Sequence, residues 1–258
     1  MRDEPGHGHE PVDGPPYRWT PERMRASRPS PLPMRPSWPG GEGGGGRLPS
    51  SVLGLASPPE RLRPPAEGAQ VWTLLLSQQG PRHEAAGAAA LTAAEHGVYS
   101  GLEPGAARRR FAVVRGGLRL LAAAHLGCLP GRVAVLDGAC PLCARLHDCV
   151  AAGEGAGPVH LSWDRCGDLV VYALAGTTVG VGAAPFAEDS DPAARGDARR
   201  AARRTAAGRA LIRGGCAAGP GTIGDRTVDQ VAVPRGYTAA VVCRAAVPSG
   251  PERPAAIA

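Results

Sequence analysis

Residues 159–186, VHLSWDRCGDLVVYALAGTTVGVGAAPF, decide the fold. Val159, Leu161 and Trp163 alternate with polar residues, the period of a half-buried strand. Residues 169–175 form a nearly continuous apolar run, as expected of a strand covered on both faces. Gly176-Thr177-Thr178 is a predicted turn, and Val179-Gly180-Val181 opens another strand. The polar insert Ser162-Trp163-Asp164-Arg165-Cys166-Gly167-Asp168 is expected where a strand ends, a common place for chemistry.

Outward from this stretch, the remaining elements are spaced as in an α/β (α+β) chain. Residues 69–76 (AQVWTLLL) read as a strand. Thr92 followed by Glu95 is a capping box at a helix start. A second helix is expected from Pro104 to Leu126, since Phe111, Val114, Leu118 and Leu121 recur at helical spacing and Gly127 stops it. A short strand (133–136) and a Cys-rich turn follow. Beyond the opening stretch, residues 193–213 are an Ala/Arg-rich helix candidate with a solvated basic face. Residues 227–233 and 237–245 read as strands joined by Pro234-Arg235-Gly236.

Composition bounds the rest. Glycine (37) and proline (27) are about a quarter of 258 residues and crowd the first 68, where too little apolar area is available to offset ordering entropy. We expect a disordered tail over 1–68, an N-terminal half over 69–158, a C-terminal half over 159–247 and a short tail over 248–258. The net charge is +6, and arginine supplies all 29 basic residues. Such a surface attracts phosphates and acidic partners. Seven cysteines and no apolar leader point to reduced thiols in the cytoplasm. No apolar run has the length of a membrane span, so no membrane partner is expected; nucleic acid is not an expected partner either.

Taken in order, these motifs resemble the 4'-phosphopantetheinyl transferases, in their larger bacterial, actinobacterial-like form. That family carries a Ser-His-Ser-Gly-Asp turn, a strand, and then Gly-Val-Asp-Val-Glu. Here residues 162–168 precede the strand, and Gly180-Val181-Gly182-Ala183-Ala184 follow it. Arg108-Arg109-Arg110-Phe111 leading to Arg115 and Arg119, Cys140-Pro141-Leu142-Cys143 with His147, and Pro234-Arg235-Gly236-Tyr237 are similar to further family motifs. The resemblance spans residues 71–244. It implies two similar halves, each a small, mainly antiparallel sheet with a packed helix. It also implies transfer of the phosphopantetheine arm of coenzyme A to a serine of an acyl or peptidyl carrier protein, with magnesium neutralising the pyrophosphate.

The family's functional positions are only partly kept. By resemblance, Arg110, His147, Ser162 and Trp163 are the candidate coenzyme A contacts. Gly182 and Ala184 stand where the family places its metal-binding Asp and Glu, and neither side chain ligates magnesium. The family's later Trp-x-x-Lys-Glu-Ala motif is absent, for the chain has no lysine and no tryptophan after Trp163. Asp164, Asp168, Glu188, Asp189 and Asp191 are the acids from which a relocated metal site would have to be built. No catalytic residue is assigned, and the copy reads as degenerate. The alternatives are a non-catalytic module that binds coenzyme A or a carrier protein, and a zinc-linked interaction protein using Cys140, Cys143, His147 and Cys149, spaced C-x2-C-x3-H-x-C.

Overall fold

The computed structural model describes residues 47–62, 68–139, 146–153, 156–186, 192–216 and 226–244. Among the described residues, nine strands make two sheets. The larger has six strands in the order β1-β2-β6-β5-β4-β3, and the smaller has three in the order β7-β9-β8. In the larger sheet, β1 (Ser50–Val52) runs parallel to β2 (Gln70–Leu75), and all other neighbours are antiparallel. The others are β3 (Ala134–Ala139), β4 (Leu146–Gly153), β5 (Ala156–Cys166) and β6 (Leu169–Ala175). The smaller sheet holds β7 (Val179–Pro185), β8 (Arg226–Val231) and β9 (Tyr237–Arg244), all antiparallel. The helices are α1 (Pro81–Ala89), α2 (Ala93–Ser100), α3 (Ala106–Leu126) and α4 (Pro192–Cys216).

The apolar run of β6 explains the layering. All seven of its residues are buried. Val170, Tyr172 and Leu174 face α3, where they join Val113, Val114, Leu118 and Leu121. Leu169, Val171, Ala173 and Ala175 face the smaller sheet, against Val179, Val181, Ala239 and Val241. The outer face of the smaller sheet is closed by α4, whose Ala202, Ala206, Ala207 and Ala210 meet Ala184, Ala240 and Val242. The order is helix, sheet, sheet, helix. A continuous apolar strand is needed only where both faces are covered.

The capping box forms as expected. Glu95 N donates to Thr92 Oγ1 (3.3 Å) and Thr92 N donates to Glu95 Oε2 (2.9 Å). Gly127 ends α3 in the left-handed region, at φ 65°. Helix α1 was not expected. It packs on α3 through glycine, and a Cβ on Gly87 would lie 2.4 Å from the Ala112 carbonyl oxygen. Strand β4 was also unforeseen; the Cys-rich turn was expected to lead straight into β5.

Three expectations are corrected. Residues 47–62 are not a structureless tail: β1 pairs with β2, and Leu53 and Leu55 are buried in the core. That order comes from tertiary pairing that a Gly/Pro-rich context hides. Residues 162–166 are not a strand-end turn but lie inside β5, and only Gly167 and Asp168 turn the chain, Gly167 at φ 56°. The boundary expected between 158 and 159 falls within β5, and the larger sheet takes strands from both sides of it. The two sheets are therefore unequal, because β6 pairs with both β2 and β5. Residues 1–46 and 248–258 lie outside the described residues. Among the described residues no helix is long and apolar enough to cross a membrane.

Candidate functional site: a basic cleft at the start of the long helix

The first turns of α3 present three arginines in a row, and packing gives them different roles. Arg108 and Arg109 reach back to Glu84 of α1, with Nε–Oε distances of 3.9 and 3.3 Å. The Arg108 guanidinium also lies 4.3 Å from the centre of the Tyr99 ring, whose hydroxyl donates to Glu84. Arg110 is exposed and has no acidic partner among the described residues. It lines a cleft of ≈ 320 Å³ with Arg109, Arg165, Gln79, Ser77 and Asp168.

Arg165 enters the cleft from the end of β5. Its Nη1 donates a 3.5 Å hydrogen bond to the Gly167 carbonyl. Asp168 accepts from Ser77 N (2.6 Å) and Ser77 Oγ (2.5 Å), so neutral donors hold it. Gln79 is 8 % exposed; its Nε2 donates to the Leu75 carbonyl at 3.0 Å, and its Oε1 is buried without a partner. Three guanidinium groups thus face one engaged carboxylate and one unsatisfied acceptor. Such a set suits a ligand carrying phosphate charge together with an N–H or O–H donor.

The other expected contacts separate from Arg110. Ser162 and Asp164 point to the opposite face of β5 and are buried. Val181 N donates to Ser162 Oγ (2.9 Å), and Ala183 N donates to Asp164 Oδ2 (2.9 Å). These side chains satisfy the outer backbone edge of β7, which is the edge strand of the smaller sheet. Trp163 lies on the α3 side, half-buried against the core there. It sits opposite Tyr172, which sits opposite Trp72, an aromatic row across three strands. Arg115 and Arg119, part of the family-like run, bind Glu95 instead of facing the cleft.

The positions that resemble the family's metal ligands lie under α4. A Cβ built on Gly182 would be 2.1 Å from the Ala206 carbonyl oxygen and 2.8 Å from Ala210 N. No side chain fits there unless the helix moves. Ala184 is 2 % exposed in the same alanine-lined contact. Magnesium, implied by the resemblance, does not fit these residues. Two of the relocated acids are also committed: Asp164 to Ala183 N and Arg209 (3.5 Å), and Asp168 to Ser77. Glu188, Asp189 and Asp191 lie outside the described residues, as do Cys140 and Cys143. His147 and Cys149 belong to β4, and their side chains fall outside the description. Cys166 ends β5, and burial pushes its thiol upward against the pull of Arg209, which leaves it a poor nucleophile.

Of the cleft residues, Arg110 was legible by resemblance and Arg165 only as a charge in a polar insert. Gln79 carried no signal, because its place depends on the single 3-10 turn Leu76–Gln78 that follows β2. The sequence matches no protein-family model and no curated protein.

Proposed function

We propose that the chain is a 4'-phosphopantetheinyl transferase-like protein that keeps a seat for the phosphates of coenzyme A and has lost metal-dependent transfer. The ordered motifs over residues 71–244 support the kinship, and the transferase-like architecture of two related halves belongs to this proposal. The observation that carries the functional half is the close contact of Gly182 with α4. Where the chemistry asks for a carboxylate, the backbone of a helix fills the space.

In this reading Arg110 and Arg165 take the pyrophosphate or ribose phosphate as charge-assisted donors, and Arg109 adds charge while tethered to Glu84. Gln79 Oε1 accepts a hydrogen bond from the ligand, satisfying an otherwise orphaned buried oxygen. The cleft is too small for the whole cofactor, so the pantetheine arm lies outside it. The one carboxylate among the described residues of the cleft, Asp168, is already held by Ser77, and this supports binding as the activity. The partner would be a carrier protein, in the cytoplasm, with coenzyme A as a bound ligand.

Calorimetric titration with coenzyme A tests this. Arg110→Glu is expected to weaken binding by about tenfold or more, and Arg204→Glu, on α4, by less than about twofold. No binding below about 1 mM, or equal loss in both variants, would overturn the reading.

A further inference from the structure

A second basic cleft, ≈ 240 Å³ in volume, forms where residue 47, α4 and the β8–β9 turn meet. Four guanidinium groups line it: Arg47, Arg199, Arg203 and Arg235. They come from three separate segments, so no local run of charge explains the cluster. The approach of Arg47 is fixed by backbone, since Leu48 N donates to the Gln230 carbonyl (2.8 Å) and Ala232 N to the Leu48 carbonyl (2.9 Å). Arg199 is seated 5.1 Å over the Phe186 ring.

Among the described residues, no carboxylate lines the cleft and none of the four arginines has an acidic partner. Other arginines of the same helix do: Arg200 pairs with Asp197, and Arg209 with Asp164. The arginine-rich composition alone therefore does not explain the unpaired set. Burial first, then the charges of Arg47 and Arg199, pull the Arg203 pKa down. A guanidinium does not shed its proton near neutrality, so an anion bound among these groups would relieve the repulsion. The Thr238 hydroxyl donates to Gln230 Oε1 (3.4 Å), which leaves the amide N–H groups of Gln230 for another acceptor.

We propose that this cleft binds a short chain of phosphates. Guanidinium forks match phosphate oxygens bidentately, and several linked phosphates concentrate enough negative charge to meet four cations at once. At ≈ 240 Å³ the cleft has room for several linked phosphates. The chemistry is shared by inorganic oligophosphate and by the tail of a nucleoside triphosphate, whose base would lie outside.

Calorimetry on the full chain, with inorganic tripolyphosphate as the probe, tests the assignment at about 50 and about 300 mM salt. We expect saturable binding that the double substitution Arg203→Gln/Arg235→Gln weakens by about tenfold or more, with affinity falling at the higher salt. Arg204→Gln removes the same charge from α4 outside the cleft and should change it by less than about twofold. Thermal unfolding of each variant confirms that it is folded, and Arg235→Gln alone, in an exposed turn, gives the same sign of effect if the double variant unfolds. ATP binding with the same Arg203 dependence, and tighter than tripolyphosphate, assigns the tail to a nucleotide; weaker binding assigns it to free oligophosphate. No binding of tripolyphosphate below about 1 mM, equal loss in the Arg204 control, or tighter Arg203-dependent binding of poly-glutamate or a single-stranded oligonucleotide would overturn the proposal.

Discussion

At the scale of single residues, Gly182 carries the most consequence. Its neighbours on β7 alternate between the inter-sheet core and the α4 contact, and Gly182 lies on the α4 side, where Ala206 and Ala210 approach the strand backbone. Helix and strand come this close because β7 offers only Gly182 and Ala184 to Ala206 and Ala210 there. Gly182→Ala should therefore cost about 3 kcal/mol, and Gly182→Asp more, since it adds a buried charge without a partner. Gly208 lies on the same helix, but a Cβ there meets nothing within 4 Å. Gly208→Ala should be neutral or stabilising by about 1 kcal/mol, the usual gain of alanine inside a helix. Urea midpoints of the three variants measure the contrast.

At the scale of elements, the α2–α3 pair depends on one carboxylate. Glu95 caps α2 through Thr92 and takes hydrogen bonds from Arg115 and Arg119 of α3. Arg119 Nη1 continues to the Val133 carbonyl (2.8 Å), tying α3 to the residue that precedes β3. Burial alone would raise the Glu95 pKa, but the bonds from Arg119, the Thr92 backbone and Arg115 outweigh it and hold it below the ordinary 4.5. A depressed folded pKa means that this stabilisation is complete above about 4.5 and is lost as pH falls through the lower folded value. Glu95→Gln should destabilise by about 3 kcal/mol at pH 7, with the gap to wild type narrowing below pH ~4. Denaturant titrations across that range would detect it. This element was readable in advance because Thr92, Glu95 and the apolar spacing of α3 are local signals. Strand β1 was not readable, since three residues in a Gly/Pro-rich stretch become a strand only by pairing with β2. Ser162 and Asp164 misled for a related reason. Polar residues inside a strand resemble a turn until a second sheet arrives whose edge they satisfy.

At the scale of the whole molecule, the layer order decides what chemistry is available. The two-faced burial of β6 was legible as an uninterrupted apolar run, and it places one sheet on the other. The Ala/Arg pattern of α4 was legible as a helix with a solvated basic face. Its alanine side proved to be the surface that seals β7, and its arginines divide between paired positions and a cleft. That division depends on partners from residue 47 and the β8–β9 turn, which no local pattern announces. The candidate site was legible through Arg110 alone. Its companions Arg165 and Gln79 reach the cleft from β5 and the turn after β2, elements that lie far apart along the chain.

We propose a phosphate-binding protein in which a helix closes the position that resembles the transferase family's metal site. Its most direct test incubates the full chain with coenzyme A, magnesium and an apo carrier protein, and follows the intact mass of the carrier. The account predicts an unmodified carrier under conditions where calorimetry shows coenzyme A bound. A magnesium-dependent gain of the phosphopantetheine mass would contradict it.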